Sequence, residues 1–266
     1  MQASARTRSK MLAGYVGELG EGLAGLGLVY AVLLLFTLGA KQLVSDRDLA
    51  GTPQFALVTQ VTFQCLVSPL VLWWGWSEQA WSYDWLVSRY ETDPPTTAAT
   101  LYMWLIMGIM AKDGLVWMFY HESPDTPLLA LHHIACFIIS IYCLYREIIG
   151  AGLFIVGTVA LELGSAFSTL STLFPTSRAV LVAFLVVMTA SNVLAAACIL
   201  DHMRHLAADG DWIFVGIHGI VSPVLLFMRQ DVANQRLANC IATGNADIAK
   251  DALNKPHLPY QPMPAA

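Results

Sequence analysis

Four ionisable side chains interrupt segments that are otherwise apolar: Lys112 and Asp113, then His132 and His133 about twenty residues later. A charged group in hydrocarbon is expensive, so each of them asks for a partner, a wet cavity or a task. Asp113 lies seven residues before the end of one apolar segment, and the histidines lie about five residues into the next, across the short connection His121 to Thr126. At ~1.5 Å per helical residue, both groups are roughly 7 to 10 Å below the same loop. A connection that short makes the two helices antiparallel neighbours, so Asp113 and a histidine can meet as a carboxylate–imidazole pair. Such an imidazole suits a general base or a nucleophile, because its pKa lies near neutrality and the carboxylate fixes its tautomer.

Adjacent residues on a helix point about 100° apart, so only one of the two histidines can face Asp113 directly. The other is free to hydrogen-bond a bound group or a neighbouring helix, and interhelical hydrogen bonding is the alternative account of both. Cys136 lies one turn from His132 and shares its face, but one His and one Cys are too few ligands for a metal. The chain also lacks the HxxxH and HxxHH clusters of membrane di-iron enzymes. Lys112 can snorkel, or pair with Glu162 or a lipid phosphate. Glu162, near the middle of a later apolar segment, needs a partner or a wet cavity to stay ionised, and its depth suits a cavity floor. Its small neighbours Gly164, Ser165 and Ala166 suit close helix packing.

A second polar group, Asp201, His202 and His205, reads as part of a solvated loop over Asp201 to Asp211, with a metal or catalytic role as the alternative because His202 and His205 are at i, i+3 if helical; His218 reads as a helix-packing histidine. Retinal binding of the rhodopsin type is excluded, because the last apolar segment holds no Lys for a Schiff base.

The elements that must position these residues follow from hydropathy. The chain is 56% hydrophobic and 12% charged over 266 residues, about half the charge of an ordinary soluble domain, and it carries repeated apolar runs of bilayer-spanning length. An all-α, polytopic transmembrane bundle of about seven spans, with six to eight as the range, is the fold class expected. The spans run from about Leu23 to Val44, Phe55 to Trp76, Ala98 to Tyr120, Pro127 to Tyr145, Ile149 to Phe174, Arg178 to Leu200, and Trp212 to Met228. Trp73, Trp74 and Trp76 form an aromatic anchor at the end of the second. Ser77 to Thr97 reads as a polar and aromatic loop on the membrane surface.

Residues 1–22 form a basic N-terminal segment with Arg6, Arg8 and Lys10. It is either a cytoplasmic tail or an Arg- and Ser-rich mitochondrial transit peptide. Residues 229–266 read as a polar, partly disordered tail with four prolines in the last eleven residues, suited to docking a protein partner. The net charge of −5, without interleaved aromatic and basic residues, sets nucleic acid aside. The five cysteines show no CxxC spacing, so neither a disulfide framework nor a zinc site is indicated.

One stretch carries a family resemblance. Asp113 in an apolar helix, then Leu131-His132-His133-Ile134-Ala135-Cys136, then Leu161-Glu162-Leu163-Gly164-Ser165-Ala166-Phe167 resembles the TLC-domain family over about residues 55–228. That family includes ceramide synthases, a translocon-associated protein and lipid-homeostasis proteins. Cys136 stands where the ceramide synthase motif has Thr, and Glu162 is the one acid of the next helix, so the chain is more similar to the branch outside the ceramide synthases. The resemblance implies a protein that binds lipid or acyl chains and influences membrane lipid composition, with Lys112, Cys136 and Glu162 as lipid contacts. It implies as an alternative an acyl-CoA-dependent N-acyltransferase, with His132, His133 and Asp113 catalytic and acyl-CoA as co-substrate rather than a resident cofactor. A structural subunit of a larger membrane assembly is the third expectation. The membrane expected is the endoplasmic reticulum or another endomembrane, with the mitochondrial inner membrane as the alternative.

Overall fold

A computed structural model describes residues 24–44, 48–49, 52–78, 82–88, 97–120, 126–145 and 149–243; of these, 48, 97–100, 113–120, 126–132, 143–145, 239 and 242–243 are described by backbone only. The basic segment 1–22 and the proline-rich end of the tail lie outside the described residues.

Helices account for 92% of the described chain. In order they are α1 (Ala24–Leu43), α2 (Gln54–Thr62), α3 (Ser68–Glu78), α4 (Tyr83–Val87), α5 (Thr97–Tyr120), α6 (Thr126–Tyr145), α7 (Ala151–Leu173), α8 (Arg178–Asp209) and α9 (Trp212–Thr243). Two-residue strands, β1 (Asp48–Leu49) and β2 (Thr52–Pro53), pair antiparallel between α1 and α2. Five helical stretches among the described residues are long and apolar enough to cross a membrane: Ala24–Leu43, Gln54–Glu78, Ala151–Leu173, Arg178–Asp209 and Trp212–Ala238. Their large apolar side chains point outward as well as inward. On α8, Val182, Val186, Val193 and Leu200 are exposed, as are Ile213, Ile220 and Phe227 on α9. Such a surface suits lipid and not water.

α2 and α3 are one continuous helix interrupted by a π-helical turn at Phe63–Val67, closed by the Ser68 amide donating to the Phe63 carbonyl five residues back. The break has a local cause. Pro69 has no N–H to donate and its ring crowds the carbonyl four residues earlier, so the helix widens just before it. The wider turn carries Gln64 into the interior, where it is buried.

α7, α8 and α9 form an antiparallel three-helix unit. Ser177 caps α8 by accepting from the Val180 amide at 3.4 Å. Gly210 ends α8 in the left-handed conformation at φ 85°, with its amide on the Ala207 carbonyl and the Asp211 amide on that of Leu206. Asp211 then caps α9, one carboxylate oxygen accepting from the Phe214 amide at 3.2 Å and the other from the Tyr142 hydroxyl at 3.1 Å. That last bond ties the α8–α9 turn to α6. The interior centres on Phe63, Tyr102, Met103, Ile106, Ile155, Val159, Leu206 and Phe214, from α5, α7 and their neighbours.

Three sequence-based boundaries are corrected. Of the stretch expected to be a solvated loop, Asp201 to Asp211, residues Asp201 to Asp209 are the end of α8 and only Gly210 and Asp211 form the turn. That end stays helical because Cys198, His202 and Leu206 recur at one-turn spacing and are all buried, a periodicity of 3.6 residues that the local charges masked. The last helix does not stop at Met228 but runs to Thr243, and its basic residues turn inward instead of entering a tail. The surface stretch after Trp76 contains α4, capped by Ser82, which accepts from the Asp84 amide at 3.0 Å.

α4 is fastened to the bundle at two points. The Gly150 amide donates to the Ser88 carbonyl at 3.0 Å, and Gly152 lies so close that a Cβ there would come within 2.7 Å of the Leu86 Cα. Tyr83 donates its hydroxyl to Asp201 at 2.5 Å, and Asp201 also pairs with Arg204 at 2.9 Å. The hydrogen bond to Asp201 holds the Tyr83 phenol above its ordinary pKa, since ionisation would destroy the donor.

Gly150 opens α7 at φ 81°, and a Cβ there would lie 2.7 Å from the His202 ring. Gly210 has the same backbone conformation with open space around it. Gly210→Ala is therefore expected to cost about 1 kcal/mol, from left-handed strain alone, and Gly150→Ala distinctly more, from strain plus a displaced ring. Unfolding of the two variants in detergent, side by side, checks the order; equal losses would refute the steric part.

Candidate functional site

Five helices enclose a cavity of about 110 Å³. It extends along α7 from Leu153 to Ser165 and along α9 from Ile217 to Arg229, and is closed by Ile106 and Met110 of α5, Ala135, Cys136 and Ile139 of α6, and Cys198, Ile199 and His202 of α8. Its walls are chiefly apolar, with polar groups gathered toward the two ends.

At one end are Glu162 and Arg229. Glu162 accepts from the Gln64 amide nitrogen at 2.7 Å, so the π-helical turn of the second span reaches the carboxylate of α7. Arg229 is hung between two helices. Its Nη1 donates to Ser165 Oγ at 2.5 Å, its Nη2 to the Leu161 carbonyl at 2.7 Å, and its Nε to Asn192 Oδ1 at 3.1 Å. All three acceptors are neutral, and none of the ion pairs among the described residues involves Arg229. A guanidinium spreads five donors over three nitrogens in a fixed plane, so it reaches well-separated acceptors on two helices at once. Space for it comes from Gly164, where a Cβ would run into Ser191 and the Arg229 guanidinium. Two turns further, Arg236 repeats the device, donating to Ser171 and stacking 4.9 Å from the centroid of Phe184.

At the other end are His202 and His218, with ring centroids 5.1 Å apart in an edge-to-face arrangement. His202 is 1% exposed and its Nε2 lies 2.9 Å from the Ile149 carbonyl. His218 Nδ1 lies 3.1 Å from Ser222 Oγ, one turn along α9. Phe214 packs edge-on against both rings and stacks on Tyr142 at 4.9 Å.

The residues singled out from the sequence divide among three places. Glu162 and Cys136 both line the cavity. Lys112 and His133 are buried but are not among the residues lining it. The side chains of Asp113 and His132 lie outside the described residues, and so does the proposed carboxylate–imidazole pair. Residues that sequence reasoning missed are Gln64, Arg229, His202 and Ser222. Arg229 lies within α9 and not in a tail, and His202 within α8 and not in a loop. The 3.6-residue recurrence of Ile217, Val221, Leu225 and Arg229 with the cavity is the signal that could have placed the arginine inside. Among the described residues no group of three His, Cys, Asp or Glu side chains comes together as a metal site requires. Cys65, Cys198 and Cys240 are free thiols.

No protein-family model, curated protein or solved structure matches this chain.

Arg229 and the absent side chain of Gly164 occupy one space, and their energetics should reflect it. Arg229→Met is expected to cost about 2 kcal/mol or more, the scale of hydrogen bonds from a charged donor, and Gly164→Ala about 1–3 kcal/mol through overpacking. The double variant should lose less than the sum, because removing the guanidinium makes room for the methyl. Unfolding of all three in detergent measures the coupling; strict additivity would show that the two do not share the space.

Proposed function

We propose that this chain is a multi-pass membrane protein that binds the alkyl chain of a single-chain lipid inside its helical bundle and thereby influences membrane lipid composition. The observation that carries this is the shape and lining of the cavity. At about 110 Å³ it is smaller than the ~150 Å³ pocket that takes a benzene ring, so it holds one stretch of an alkyl chain, the rest lying in the surrounding lipid, yet it follows α7 over thirteen residues, Leu153 to Ser165, roughly 18 Å. A cavity that long and that small is narrow, and its chiefly apolar wall suits a linear chain rather than a ring system. Being enclosed by membrane helices, it would receive such a chain from the surrounding lipid.

The same reading sets the span count at seven. To the five long apolar helices it adds α5 and α6, of 24 and 20 residues, each long enough to cross the ~30 Å of hydrocarbon. Their described parts, Leu101–Lys112 and His133–Tyr142, are apolar throughout most of their length.

Photolabelling tests the proposal. A hexadecyl diazirine probe, added to the purified protein in detergent, should label residues along α7 and α9 that line the cavity, and excess unlabelled hexadecyl chain should suppress that labelling. Labelling of the outward residues Val186 and Val224 should not saturate. Val221→Trp, which fills the cavity from α9, should remove the saturable component alone. Labelling confined to outward-facing residues would refute chain binding.

A further inference from the structure

The histidine end of the cavity has an incomplete set of hydrogen bonds. His202 Nε2 faces the Ile149 carbonyl, and a carbonyl oxygen can only accept, so Nε2 carries the proton of the neutral ring. That leaves His202 Nδ1 a bare lone pair. It is buried and has no protein partner among the described residues, and the same holds for His218 Nε2. Each atom left this way costs on the order of 1–3 kcal/mol unless something enters to meet it. The two rings are 5.1 Å apart, and both residues line the cavity.

The pair therefore asks for a group that both donates and accepts. When the Ser222 hydroxyl, 3.1 Å away, donates to His218 Nδ1, the remaining ring proton of His218 is on Nε2. A hydroxyl within reach of both rings would satisfy the two histidines at once, its hydrogen going to His202 Nδ1 and its oxygen accepting from His218 Nε2. A carboxylate, having no hydrogen to give, leaves His202 Nδ1 unmet. An ether oxygen accepts but likewise cannot donate.

The position suits the head of a single-chain lipid. His202 is seven residues from the end of α8 at Asp209, roughly 10 Å beneath the α8–α9 turn, nearer the membrane surface than Glu162 in the middle of α7. From there Ile217, Val221 and Leu225 on α9 and Phe154 and Leu161 on α7 continue the apolar wall.

We propose that His202 and His218 form a recognition site for the hydroxyl group of a neutral single-chain lipid, such as a long-chain alcohol, whose first methylenes occupy the cavity while the rest of the chain continues into the surrounding lipid. This rests on the chain-binding reading above and adds the chemical class of the head. The site owes its geometry to three features outside the two rings: the Ile149 carbonyl that fixes the His202 tautomer, Gly150 that leaves room for its ring, and Phe214 that packs against both imidazoles.

The test is competition against the hexadecyl diazirine probe, on the purified full chain in detergent, by 1-hexadecanol, hexadecyl methyl ether and palmitate at pH 7.5. 1-Hexadecanol should compete about tenfold more strongly than the ether, the ratio that one hydrogen bond of ordinary strength supplies, and more strongly than palmitate. In His202→Phe and in His218→Leu the alcohol should lose this advantage while the chain still competes. Because the three competitors are compared on the parent protein, the test stands even if a variant does not fold. Equal competition by all three on the parent would overturn the hydroxyl site and leave chain binding intact. Stronger competition by palmitate would overturn it in favour of an anion held at Arg229. No saturable labelling to compete with would overturn both readings.

Discussion

The close contact between α7 and α8 governs the rest of the bundle. Gly150, Gly157 and Gly164 recur every seven residues on α7, and the Cβ that each lacks would meet His202, Cys198 and Ser191 of α8. In lipid, helices gain nothing from hiding apolar surface from water, so association relies on dispersion contacts between closely approaching backbones and on polar groups that pair across the gap. A stripe of glycines allows the first. It also sets the axial register of α8, and through the short Gly210–Asp211 turn it sets that of α9. His202, Asn192 and Arg229 take their places from that register.

The polar groups then act as clamps at fixed heights. Asn192 accepts from Arg229 and donates to Gln230 at 3.1 Å, while Arg229 also holds Ser165 and the Leu161 carbonyl. α7, α8 and α9 are joined there by one guanidinium. Gln64 extends the join to the second span through Glu162. Such groups are costly in hydrocarbon when unmet, so a displaced register would be penalised at several places together.

Much of the architecture was legible in the chain itself. Hydropathy located the long apolar helices within a few residues at most ends, since twenty apolar residues have few other uses. Glu162 stood out as an acid in mid-span, and it lies in the cavity wall. The helix ends depart from the sequence-based expectation where charge and periodicity disagree. Asp201, Arg204 and His205 made the end of α8 look like a loop, although Cys198, His202 and Leu206 keep helical spacing beneath them. Arg229, Asp231 and Arg236 made the second half of α9 look like a tail, although a helix can present charge on one face and bury an arginine on the other.

The sequence by itself determined that this is a membrane-embedded, helical protein with ionisable groups inside its spans, because composition and apolar run length fix the solvent that each segment prefers. Which of those groups share a cavity was decided only by tertiary structure. Glu162 and Arg229 are 67 positions apart and His202 and His218 are 16, and their meeting depends on the register of packed helices. That register is set by side-chain volumes and hydrogen bonds across helix pairs, which no single segment encodes.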